Sequence, residues 1–442
     1  MFMRIALNKR FVPICAVAAL LAPLTAAKAQ VEDRPSVVGA RLARPYLFNT
    51  EDYNVKAGPV TFKATAELRT DYNDNISLTE HHPDGDVIVT PALDLQMFWP
   101  VTPFNALRLN AQFGYSWYLN HSELNTAATA FSIAPDSVLD YDIYVSNFTI
   151  NLHDRFALIQ DPVNQPTLSN VPFYGHFVNT AGVSVFWFLN KNVIVTGSYD
   201  HTDDIPTSSE FDFAQYDEDQ FSASIRCAVA PHVAAGLEGS VADARYRTGD
   251  KPDGVPVSAG PFIDWNITPY TRLRVAAGYQ GIFFDGDTAR SIAFLPGTSP
   301  SSGPTVVHGG TAHVSDESSP YFNIELSNRL SRHFQQTLSA GHELSLDITA
   351  ASASLYYIRY NAEWEISSRF TLHGLLFYDN GHQNGADLPE DFDRIGCGLS
   401  TSVNLSRKLT ASLGYQFIHK NSDIEGNSYY QNFVSLSLRY SF

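Results

Sequence analysis

From Val60 to the terminal Phe442 the chain alternates apolar and polar residues in segments of roughly ten, the length that crosses a bilayer as a tilted strand. The first segment sets Val60, Phe62, Ala64, Ala66 and Leu68 against Thr61, Lys63, Thr65, Glu67 and Arg69. The last sets Val434, Leu436, Leu438 and Tyr440 against Ser435, Ser437, Arg439 and Ser441. A two-residue period gives each strand one oily and one wet face. Short connections of similar composition lie at 100–103, 190–192, 230–232, 268–271, 331–333, 367–369 and 406–408, and longer polar ones at 71–84, 121–135, 159–176, 201–216 and 285–318. Short turns on one side and long loops on the other, repeated as hairpins, predict an all-β fold: an antiparallel up-and-down transmembrane β-barrel. Counting back from Phe442, parity demands a descending strand through Leu139, Tyr141, Ile143 and Val145 with a turn at Ser146 and Asn147. That gives about 18 strands, within a range of 16 to 18.

The first 29 residues are built differently. Arg4, Lys9 and Arg10 precede an apolar run over 11–24, and Ala27, Lys28 and Ala29 follow, the pattern of a signal peptide cleaved before Gln30. Residues 30–58 show neither period and read as a periplasmic lead-in, so the barrel is expected over 59–442. No helix-length apolar run follows the signal, so a membrane position requires a closed sheet. The chain carries 29 Lys plus Arg against 46 Asp plus Glu. The signal removes only basic residues, and so acidic a mature chain argues against a nucleic-acid partner. Cys227 and Cys397, on apolar positions far apart, do not suggest a disulfide scaffold.

The five tryptophans test the pattern independently. Trp99, Trp187, Trp265 and Trp364 fall just before short turns, Trp117 falls near the far end of an ascending strand, and all share the apolar parity. An aromatic girdle at headgroup level, facing lipid, accounts for this. The opposite parity places Arg108, Arg272, Arg274, Glu325, Arg329, Arg359, Glu363, Glu365 and Arg439 toward the lumen. Facing hydrocarbon, each charge would cost roughly 2–4 kcal/mol at the midplane. They therefore line a water-filled pore of mixed sign or pair with one another to fill it, and the 285–318 loop is a candidate to fold inward.

Chemical signals are weak. His81, His82, Asp84 and Asp86, and separately Asp200, Asp203 and Asp204, read as a solvated acidic rim rather than a metal site. Asn151 and His153 lie on the polar parity, against a lipid-facing hydrolase site, and no nucleophile or phosphate-loop motif appears. No enzyme, cofactor or metal is expected.

The stretch Asp71-Tyr72-Asn73-Asp74-Asn75-Ile76, after the first strand, resembles a signature of β-barrel porins and exopolysaccharide-operon outer-membrane barrel proteins. The closing strand with Tyr440 and Phe442 also resembles those of bacterial outer-membrane barrels, which implies recognition by the barrel-assembly machinery. The resemblance implies residence in the bacterial outer membrane among lipopolysaccharide, with passage of polysaccharide or small polar solutes. The competing expectation is a structural or surface-interaction barrel with an occluded lumen.

Overall fold

The computed structural model describes residues 53–295, 305–386 and 388–442; the expected signal peptide and most of the lead-in lie outside them. The main sheet has 21 strands. Three are short, Val55–Ala57, Trp117–Tyr118 and Phe131–Ile133, and the other 18 close a barrel. In chain order these are β1 (Val60–Asn73), β2 (Asp86–Thr102), β3 (Asn105–Tyr115), β4 (Val138–Val145), β5 (Phe148–Ile159) and β6 (His176–Asn190). Then come β7 (Val193–Pro206), β8 (Tyr216–Ala230), β9 (Val233–Tyr246), β10 (Asp253–Thr268), β11 (Thr271–Asp285) and β12 (Glu317–Ser331). The ring ends with β13 (Phe334–Leu346), β14 (Ser352–Ser367), β15 (Phe370–Asn384), β16 (Asp391–Asn404), β17 (Leu409–Ser422) and β18 (Tyr429–Ser441). The descending strand required by parity is β4, and its turn to β5 falls at Ser146 and Asn147.

Each strand pairs antiparallel with its neighbours, and β18 returns to β1 through partners such as Leu438 with Leu68 and Val434 with Tyr72. The Phe442 amide also donates to the Ala64 carbonyl at 3.2 Å. Among the described residues the ring of 18 strands closes on itself, the condition for placing backbone groups in hydrocarbon. Val55–Ala57 pairs back on the start of β1, so the end of the lead-in is already strand.

The shared composition of the short turns has a mechanism. Thr102, Asn190, Thr268, Ser331, Ser367 and Ser406 each open a turn and accept a hydrogen bond on the side chain from the amide two residues on, at 2.8–3.3 Å. These local bonds replace the ladder bonds lost at the bend.

All five tryptophans are exposed on the outer face, the placement a lipid-facing girdle requires. At the extracellular end of the apolar belt, alongside Trp117, Tyr72, Tyr279, Tyr356, Tyr378 and Tyr430 are exposed on outward positions. A closed antiparallel ring with an apolar exterior between two aromatic rows is an outer-membrane β-barrel.

The long loops are shorter than the sequence suggested at two places. β1 runs to Asn73 and β7 to Pro206, so part of each expected loop is strand. The Asp71–Ile76 signature straddles the end of β1 and serves the seam. The Asn432 amide and side chain both donate to the Asp74 carboxylate at 2.6 Å, and Asn75 Nδ2 donates to the Tyr430 carbonyl at 2.9 Å.

Candidate functional site

The inner wall is polar and carries aromatic rings held flat against it. Phe262 on β10 lies over Gly236 on β9, Tyr357 on β14 over Gly341 on β13, and Phe377 on β15 over Gly396 on β16. A Cβ at any of these glycines would collide with the ring. The missing side chains let the rings lie along the wall instead of projecting into the lumen. Cations then stack on the rings: Arg274 over Phe262 at 4.3 Å, Arg359 over Tyr357 at 4.5 Å and Arg394 over Phe377 at 5.1 Å.

Every residue expected in the lumen is on the inner parity, and most of these charges are paired. Arg108 is buried and bonded to Asp142, so it belongs to the wall rather than to open water. Arg359 is likewise buried, 3.6 Å from Asp379. Arg272 binds Asp264 at 2.6 Å, while Arg274 bonds Glu238 and stands 3.6 Å from Asp264. Glu325 accepts from Ser327, and its register partner is Arg274. Toward the turns, Glu363 faces His373 at 3.6 Å, Glu365 faces His333 at 3.5 Å, Arg439 binds Glu67 at 2.7 Å, and Arg329 donates to the Arg332 carbonyl.

The acidic-rim expectation is corrected for three of its members. Asp86 is fully buried and accepts the Asn120 and His121 amides at 2.9 and 3.0 Å. Asp200 and Asp204 are buried on the inner parity, bound to His153 at 2.6 Å and His176 at 3.0 Å. Each aspartate sits where it supplies an acceptor that a buried amide or imidazole needs. Asn151 is drawn into the same network, donating to Asp142 at 2.8 Å and meeting His153 at 2.9 Å.

The dominant feature of the lumen is a segment the sequence marked only as a long loop. Residues 160–175 leave β5 and return to β6 with their ends together, the Tyr174 amide donating to the Gln160 carbonyl at 3.1 Å. Between those ends the chain crosses to the β15–β18 side of the ring, in the manner of an Ω-loop. There Arg394 Nη1 donates to the Val163 carbonyl at 2.8 Å, and Val163 packs against a cluster holding Leu78, Phe377, Ile418 and Tyr429. Lys420 Nζ, fully buried, reaches Ser169 Oγ at 3.0 Å and Glu390 at 2.9 Å. Ser169 Oγ donates to the Asn427 carbonyl at 2.8 Å, and Thr167 binds Asp347 at 2.7 Å.

Two charged anchors thus fix the crossing. In one, Asp379 takes Arg394 through Nε and Nη2 at 3.1 and 2.8 Å; in the other, Glu390 holds Lys420. Charge-assisted bonds of this kind are strong only when both partners are present.

Above the anchors, five extracellular connections contribute to one apolar core: Ile76, Leu124, Leu168 with Val171, Phe211, and Phe294. Phe294 belongs to a hairpin of Thr288–Leu295 with Thr305–His313, so the loop after β11 does join the mouth. The 160–175 segment makes the crossing. Its bonds to the far wall come from the polar run Thr167, Ser169 and Asn170, a composition that a solvated loop shares.

No family model and no curated protein matches the chain. Among solved structures it is similar to Pseudomonas aeruginosa OpdK with vanillate, at 11% identity and a TM-score of 0.47, covering 86% of this chain and 99% of that one. It is similar to Acinetobacter baumannii OccAB3, at 11% identity and a TM-score of 0.45 with the same coverage. A BenF-like porin from Pseudomonas fluorescens Pf-5 gives 10% identity and a TM-score of 0.46, again over 86% of this chain and 99% of that one.

Proposed function

We propose that the protein is an outer-membrane channel for small polar solutes, narrowed in its outer half by the 160–175 segment. The observation that carries this reading is the anchored crossing itself, through Arg394 and Lys420, inside a wall whose aromatic rings lie flat over glycines. A segment strapped across the ring favours solutes small enough to pass beside it over a polymer, so a small solute is better supported than an exported polysaccharide. Selection falls to size and to the field of paired charges. The apolar core joining the outer loops favours a second reading, an occluded barrel with a surface role. Planar-bilayer recording separates the two: steady current steps support the channel, and silence from folded protein supports occlusion.

Within the channel reading, Arg226, Arg272 and Arg274 surround Asp264 and remain partly open to the lumen. Arg272→Glu with Arg274→Glu leaves Asp264 and Glu238 without these partners and adds two negative charges beside them. The reversal potential in a salt gradient is expected to shift toward cation selectivity. An unchanged potential would remove these arginines from the conduction path.

We also assign Tyr440 and Phe442, packed edge to face at 5.5 Å, to the signal read during assembly. Deleting Phe442 is expected to lower the amount of heat-modifiable protein in the outer membrane. Normal amounts would reject that role.

A further inference from the structure

The outer face of β7, β8 and β9 is ordered into rows by the strand register. Starting at the extracellular end, the rows are Asp203, Asp217 and Arg245; His201, Asp219 and Asp243; Tyr199, Phe221 and Val241; Gly197, Ala223 and Gly239; Val195, Ile225 and Leu237. The fourth row has no side chain larger than a methyl group. Between the aromatic row above and the aliphatic row below lies a lipid-facing groove of about 890 Å³. It crosses three strands, roughly 10–15 Å at the usual strand spacing, a length matched by an extended acyl chain.

The two rows above it turn abruptly charged. Tyr199 Oη and His201 Nδ1 meet Asp219 at 2.7 and 2.9 Å, Arg245 bonds Asp243, and Arg247 binds Asp217 at 2.8 Å. Among the described residues, Arg245 is the only lysine or arginine on an outward position of a barrel strand. Both guanidinium groups are more than half exposed, and with five donors each they keep N–H groups free beyond their carboxylate partners.

We propose that the groove and the charged rows above it bind one molecule of lipopolysaccharide, an acyl chain lying along Gly197, Ala223 and Gly239 and a phosphate of the glycolipid headgroup on Arg245 and Arg247. The site sits at the outer-leaflet end of the apolar belt, where that glycolipid presents phosphates directly above its acyl chains. The aspartates hold the two arginines at the rim and accept from the sugar hydroxyl and amide groups that a simple phospholipid headgroup lacks. A second copy of the barrel would fill the groove with side chains but offers no phosphate to the guanidinium N–H groups that Asp243 and Asp217 leave unused.

The test is native mass spectrometry of the full-length barrel in detergent, titrated with hexa-acylated, bis-phosphorylated lipid A. One lipid A is expected to bind tightly. Arg245→Glu with Arg247→Glu is expected to weaken binding about tenfold or more, as loss of charge-assisted bonds does. Gly197→Leu is expected to weaken it similarly by filling the groove. The new Cβ meets nothing nearer than the Ser222 carbonyl at 4.0 Å, so this variant is expected to fold, and heat-modifiability checks it. The arginine pair lies above the apolar belt and tests the site without touching the groove. Wild-type affinity in both variants would overturn the proposal. So would equal binding of dephosphorylated lipid A or of phosphatidylethanolamine, or a change in oligomeric state alone.

Discussion

Replacing residues 162–172 with a short Gly-Ser link is expected to raise single-channel conductance roughly threefold or more, because it removes the segment that narrows the lumen. The ends of that segment already meet through Gln160 and Tyr174, so a short link spans them without straining β5 or β6. The barrel wall is expected to fold, since the excised residues pair with no strand. The outer core loses Leu168 and Val171, which pack in one cluster with Ile76, Phe211 and Phe294, while the Phe211–Phe294 contact remains. Larger current steps should therefore come with more noise. Conductance unchanged after the replacement would show that solutes do not pass this segment.

The second large effect is expected from Lys420→Ala. Lys420 is fully buried between Glu390 and Ser169 and stacks 4.8 Å above the Phe392 ring. Removing it strands a buried carboxylate, a cost of about 3–5 kcal/mol, and releases the middle of the crossing segment from the far wall. The barrel should unfold at lower urea, and protease should cut within 160–175. Lys420→Met with Glu390→Gln removes both charges together and is expected to recover much of the loss. If the single and double variants were equally unstable, the ion pair would not be the anchor. Arg394 gives a partial control, since it donates directly to the Val163 carbonyl and is itself held by a separate carboxylate, Asp379.

The wall was legible in the sequence and the interior was not, for a physical reason. A strand with lipid on one side and water on the other must alternate, so Val60–Asn73 and Tyr429–Ser441 announce their faces residue by residue. Turn positions were nearly as plain, because Ser, Thr or Asn caps the bend at six of them. The tyrosines at the outer end of the belt carried the same signal as the tryptophans; their greater number hid it. Residues 160–175 obey no period. Their path depends on Arg394 and Lys420, more than 200 residues away in the chain, and nothing local distinguishes a loop that crosses a lumen from one that stands in water. The same limit misplaced Asp204, whose partner His176 lies on the adjacent β6, and Asp200, whose partner His153 lies two strands away on β5. It also concealed the use of Asp74 and Asn75 at the seam, where their acceptors and donors come from the far end of the chain.

Single-channel recording of the wild-type protein, refolded and verified by heat-modifiability, tests most directly whether a conducting path runs beside the anchored segment. Discrete, reproducible current steps that persist at constant voltage are the predicted result. A folded barrel that inserts into the bilayer and carries no current would contradict the channel and leave the occluded form standing.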